Sequence, residues 1–129
     1  MIFSIAVFAG PQNSEAPLSA LHFAKAVLTA GHDLTRVFFY HDGVSTGNLL
    51  NTPPQDEPNV TKEWSEFGQA HQLEMLVCVA SAIRRGIFDQ TEATRHGKPA
   101  ANLAEGFEIA GLGQLIDAAL NADRLVVFK

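Results

Sequence analysis

Among 129 residues there is one cysteine, Cys78, with one tryptophan and one tyrosine. A lone cysteine excludes an internal disulfide, a CxxC exchange pair and a cysteine-rich zinc site, and it fits a reducing compartment. Positive charge is also scarce: nine Lys and Arg face fourteen Asp and Glu, a net charge of −5. Nucleic-acid binding draws most of its affinity from cations that neutralise phosphates, so no direct nucleic-acid contact is expected. Long apolar runs are missing, and MIFSIAVFAG at the start has neither a basic leader nor a small-residue cleavage site. The expectation is a cytoplasmic protein without a membrane span.

Cofactor motifs are missing too. The loop GPQNSEAP lacks the GK[ST] ending of a phosphate-binding loop, and Gly111-Leu112-Gly113 is only a fragment of a dinucleotide fingerprint with no obvious strand before it. His22, His32, His41, His71 and His96 are scattered, with no pair four residues apart and no cysteine at zinc-ligand spacing. Asp42, Asp56, Glu57 and Asp89 form no carboxylate cluster and read as solvated loop residues. No metal and no cofactor is expected.

What is present is a core. Apolar residues make up 47% of the chain and charged residues 18%, the balance of a single globular domain over residues 1–129. A chain of this size buries roughly two-thirds of its unfolded surface and needs no covalent staple. MIFSIAVFA reads as a strand buried on both faces, because it is apolar without alternation. An amphipathic helix follows through Leu18, Leu21 and Leu28 and closes at Gly31; LTRVFFY, Leu34 to Tyr40, is the second strand. His41 to Asn59 is irregular, with HDGV turning the chain and TPPQDEP punctuated by proline. Thr61 to His71 is a helix with Trp64 and Phe67 on one face, Glu74 to Val79 the third strand, and Ala80 to Arg85 a short helix.

Asp89 to Gly97 is a further short helix, capped by Asp89 or Thr91 and ended by Gly97. Ala101 to Phe107 fits a strand or a loop. Gly111 to Ala122 is a helix expected to turn Leu112, Leu115, Ile116, Ala119 and Leu120 inward, and RLVVFK, Arg124 to Lys129, is the last strand. Alternating strands and helices imply an α/β protein: a three-layer α/β/α sandwich with a mostly parallel sheet of about five strands.

In such sheets ligands gather beyond the carboxyl ends of the strands, where Cys78 would stand on an accessible rim. The amides of Val79, Ala80 and Ser81 at a helix start favour a thiolate, and the small Ala80, Ser81 and Ala82 leave room for a partner. Arg84 and Arg85 lie a turn or more along the helix, and a solvated helix end closed by Gly86 is the favoured account of them on pattern alone. His41 follows the second strand and could serve as base to Cys78. The competing reading is plain packing, since an apolar strand is the ordinary home of a free cysteine. With no second cysteine to resolve a mixed disulfide, a working thiol here would carry one sulfane sulfur rather than exchange disulfides. A redox sensor that dimerises through the thiol is a further alternative.

CVASAIRRG followed by D-x-T-E-A-x-R-x-G, Asp89 to Gly97, resembles the TusD/DsrE family of sulfur-relay subunits. The resemblance extends to Gly10-Pro11, to VFFYHDGV at Val37 to Val44, and to NL…GF…GLG…L from Asn102 to Leu115, nearly the whole chain. It implies a DsrE-like fold and a sulfurtransferase acting through a Cys78 persulfide. It also implies a heterohexamer with TusB-like and TusC-like subunits, a TusA-like sulfur donor, and a TusE-like acceptor leading to 2-thiouridine at the tRNA wobble position. The alternatives are a DsrE-type sulfur-trafficking subunit in sulfur oxidation and a non-catalytic assembly subunit with a buried cysteine. The resemblance assigns no role to Arg84, Arg85, Ser81 or His41, which remain candidates on local chemistry alone.

Overall fold

The computed structural model describes all 129 residues. Its strands are β1 (Ile2–Val7), β2 (Asp33–Phe39), β3 (Glu74–Cys78), β4 (Phe107–Ala110) and β5 (Arg124–Phe128). The helices are α1 (Ala16–Thr29), α2 (Val60–Ala70), α3 (Val79–Arg84), α4 (Gln90–Arg95) and α5 (Gly113–Asn121). The five strands form one sheet in the order β4-β3-β2-β1-β5, and every pairing is parallel. All strand carboxyl ends therefore lie along one margin. As its apolar run predicts, β1 is internal to the sheet, and Ile5, Ala6 and Val7 are fully buried.

Side-chain alternation along β2 assigns the two faces. Phe39 meets Trp64 of α2 edge-on, with ring centroids 5.4 Å apart. Arg36, of opposite parity, reaches the backbone of Gln114 and the carboxylate of Asp117 on α5. So α2 and α5 cover opposite faces. Connectivity accounts for this: β1, β2, β3 and β4 are laid down in one direction, whereas the chain leaving β4 must cross to the far edge to form β5. Right-handed crossovers place a helix that reverses direction on the other side.

Local signals set most of the boundaries. Gly31 at φ +83° follows the last residue of α1's terminal turn, and Gly97 at φ +65° follows α4, both left-handed stops that glycine adopts without strain. Asn59 caps α2 by accepting from the Lys62 amide, and Asp89 caps α4 by accepting from the Glu92 amide. Trp64 is buried and its indole N–H donates to the Pro17 carbonyl at 2.9 Å, tying α2 to the start of α1.

Three expectations change. The segment after β2 is a 3₁₀ helix, His41–Gly47, rather than a simple turn. β4 begins at Phe107, where the undecided window ends, so a strand does precede Gly111-Leu112-Gly113; the glycine spacing of a dinucleotide loop is still missing. The third concerns the inward face of α5. Leu112, Ile116 and Leu120 are 44%, 59% and 78% exposed, Ala119 is also exposed, Leu115 is half-buried, and Ala118 is the one buried residue of the helix.

The cause is the Arg36 guanidinium, 16% exposed under α5. It holds Asp117 at 3.0 Å and the Gln114 carbonyl at 2.9 Å while pairing with its cross-strand neighbour Glu74. A mostly covered charge needs partners, and Arg36 draws the Gln114–Asp117 edge of α5 toward it; Ala118 and Leu115 then meet the sheet and the Leu112, Ile116 and Leu120 stripe turns out. Arg36→Ala is expected to cost about 1–2 kcal/mol, discounted for the exposure of both carboxylates, with faster amide exchange confined to α5. Leu120→Ser is expected to change stability in urea titrations by less than about 0.5 kcal/mol, whereas Leu21→Ala in α1 costs about 2–5.

Candidate functional site

Cys78 is the last residue of β3 and the N-cap of α3, with φ −59° and ψ 124°. No loop intervenes between strand and helix. The residue stands at the carboxyl margin of the sheet, opposite Ala110 of β4, and its side chain makes no capping hydrogen bond. In one respect the expectation from sequence is corrected. Cys78 is 3% exposed and belongs to the core cluster with Val77, Val44 and Ala82, so the thiol is covered in the single chain rather than open on a rim. β3 is flanked by β2 and β4, and both the 3₁₀ helix and α3 pack at its end.

The other candidates divide into two groups. Ser81 is buried one turn into α3, and its hydroxyl accepts from the His41 backbone N–H at 3.3 Å. Arg85 donates from Nε to Asp42 Oδ1 at 2.9 Å and from Nη1 to the Ser81 carbonyl at 3.1 Å. These contacts clip the start of the 3₁₀ helix to α3. His41 has φ +50°, the left-handed region, which lets the chain leave β2 and fold back over its end. Its exposed ring stacks on Tyr40, centroids 4.4 Å apart, and makes no hydrogen bond to Cys78.

Arg84 is separate from this group. It is exposed and lines a cleft with His96 and Lys98 on the side of α3 toward α4. Sequence reasoning passed over Asp42, taken as a solvated loop residue, and no pattern reveals its pairing with Arg85 across 43 positions. His96 and Lys98 likewise carry no local signature.

The clip is tight at one point and loose at another. A methyl group on Gly43 would overlap the Val7 carbonyl oxygen, so the 3₁₀ helix lies directly on the end of β1. Thr46, by contrast, is fully buried and its hydroxyl has no hydrogen-bond partner, an internal cost of about 1–3 kcal/mol. No group of three or more His, Cys, Asp and Glu side chains is arranged to hold a metal ion, and no helix is long and apolar enough to cross a membrane.

A five-stranded parallel sheet covered by helices on both faces is the architecture of the DsrE-like fold. The chain belongs to the DsrE/DsrF-like family, which it matches over residues 1–128. It is 52% identical over 128 residues to the DsrE protein of Allochromatium vinosum, covering 99% of this chain and 98% of that one. It is 44% identical to the sulfurtransferase TusD of Salmonella newport, covering 99% and 100%. The crystal structure of YchN from E. coli superposes with a TM-score of 0.72 at 26% identity, covering 98% of this chain and 97% of that chain. Relatives bearing these names support a role in sulfur transfer.

The clip joins the two elements that pack at the end of β3, so loosening it is expected to change access to Cys78. Asp42→Ala is expected to change stability by less than about 1 kcal/mol, because the Asp42 side chain is 74% exposed and Arg85 keeps its bond to the Ser81 carbonyl. It should nevertheless speed alkylation of Cys78 by iodoacetamide, followed by intact mass. An alkylation rate equal to wild type would show that the clip does not control the thiol. Gly43→Ala is expected to unfold the 3₁₀ helix or lower the melting temperature markedly in a thermal scan.

Proposed function

We propose that the protein is a sulfur carrier whose Cys78 thiolate attacks the terminal sulfur of a donor persulfide. A new Sγ–S bond forms, the donor S–S bond breaks, and the donor leaves as a thiolate; Cys78 is left as a persulfide. An acceptor thiolate then attacks the terminal sulfur and Cys78 is released as a thiolate. Each step exchanges one S–S bond for another, with no net oxidant or reductant. The observation that carries the reading is the position of Cys78: a thiol without a resolving cysteine, at the carboxyl margin of the sheet, in a family whose relatives are named sulfurtransferases.

The partners follow from the same reading. A TusA-like protein would donate, a TusE-like protein would accept, and TusB-like and TusC-like subunits would complete a heterohexamer. The exposed stripe Leu112, Ile116 and Leu120 on α5 is apolar surface that a neighbouring subunit would cover. Delivery toward 2-thiouridine at the tRNA wobble position is the destination we assign. The higher identity to DsrE, 52% against 44% for TusD, favours a second destination, DsrE-type trafficking during sulfur oxidation. Loss of wobble 2-thiouridine from cells lacking the gene, measured by nucleoside mass spectrometry, separates the two.

Burial of Cys78 favours one other reading, an assembly subunit whose cysteine only packs. The two differ in the mass of the loaded protein. Incubation with a persulfidated donor is expected to add the mass of one sulfur atom, and Cys78→Ser should remain folded by circular dichroism and show no adduct. An adduct that persists in Cys78→Ser, or a native thiol inert to small alkylating reagents both alone and in complex, would sink the carrier assignment.

A further inference from the structure

The two adjacent arginines at the end of α3 do different things. Arg85 is consumed within the fold by Asp42 and the Ser81 carbonyl. Arg84 makes no hydrogen bond or ion pair and faces solvent at the mouth of a cleft of about 540 Å³ between α3 and α4. Lys98, exposed and also unpaired, and His96 complete its rim; Ile83, Gly86 and Phe88 line the rest. Phe88 is buried and its ring lies 6.0 Å from that of His96, so the cleft has an apolar floor under a cationic edge.

The buried carboxylate of α4 is turned toward basic side chains of its own helix and its C-cap. Glu92, with a side chain 8% exposed, holds Arg95 through Oε1 at 3.2 Å and faces His96 Nε2 through Oε2 at 3.4 Å. Asp89 is occupied as the cap of α4. Two unpaired cations therefore sit together on a chain whose net charge is −5. An acidic partner is repelled by most of this surface and attracted here, which fixes its orientation as well as its position.

We propose that this cleft docks an acidic segment of a partner protein, carboxylates on Arg84 and Lys98 and an apolar side chain on Ile83 and Phe88. A free oxyanion is a poorer fit. It would gain only exposed charge pairs, each worth about 1 kcal/mol or less, and would leave the apolar floor uncovered. A peptide uses both. The purpose of the site rests on the sulfur-carrier reading: α3 begins beside Cys78 and ends at Arg84, roughly 9 Å along its axis. A protein gripped at Arg84 is thus held within reach of the thiol, while the six-residue helix between them supplies a fixed spacing.

The probe is a short fluorescein-labelled peptide alternating aspartate and leucine, titrated by anisotropy at low ionic strength and again with added sodium chloride. Saturable binding is expected, weakened by salt and by about tenfold or more in the Arg84→Glu/Lys98→Glu double variant, which loses two attractions and gains two repulsions. Amide shifts on binding should centre on Gly86, Phe88, His96 and Lys98. The neutral pair Arg84→Gln/Lys98→Gln gives the same test should charge reversal impair folding. Binding unchanged in these variants, or shifts centred elsewhere, would overturn the proposal. So would displacement of the peptide by inorganic phosphate as readily as by unlabelled peptide, which would define a small-oxyanion site. Cys78→Ser is expected to bind the peptide as wild type does, so a failed sulfur-transfer assay and a failed docking site are told apart.

Discussion

Burial of the central strands on both faces is the constraint from which the remaining arrangement follows. β1, β2 and β3 hold the fully buried residues Ile5, Val7, Val37, Phe38, Phe39, Met75 and Val77, and no face of them tolerates water. Neighbouring parallel strands are joined by crossover connections whose helices cover the sheet faces, and parallel pairing brings every carboxyl end to one margin. The thiol, the 3₁₀ helix and the cationic cleft all stand on or beside that margin for this reason. Their neighbourhood follows from the hydrogen-bonding direction of the sheet.

The junction at Cys78 shows how packing and chemistry conflict. Passing from β3 to α3 with no intervening loop holds the sulfur on a rigid frame, which suits a nucleophile that must meet another protein's sulfur. The same directness draws it into the core cluster beside Val77 and Ala82. The 3₁₀ helix that packs at this junction is itself well seated: Val44 and Thr46 are fully buried, the Ala104 amide donates to the Gly47 carbonyl at 2.8 Å, and the Asp42–Arg85 pair ties its start to α3. Exposure of the thiol therefore requires local opening, and a partner that binds the opened form favours it by mass action.

Legibility followed the range of the interactions. Apolar runs, glycine stops and the Asn59 and Asp89 caps act over a few residues, so strands and helices could be read with small boundary shifts. The capping side chain at Asp89 and the left-handed stop at Gly97 occur where the residue types indicate. α5 was misread for the opposite reason. Its leucines have helical spacing, but the competing face is chosen by Arg36, a charge on a strand far away in the chain. Hydrophobic periodicity identifies an apolar face without saying what is available to cover it.

Apolar runs and composition suffice for the class of fold, the place of Cys78 at the end of a strand, and the lack of a second thiol to resolve a mixed disulfide. These rest on local propensity and on composition. It takes the folded chain to cover the thiol, to spend Arg85 on Asp42, and to bring Arg84, His96 and Lys98 to one cleft. Those facts depend on contacts between segments many residues apart, whose meeting is set by strand order and crossover handedness rather than by any motif.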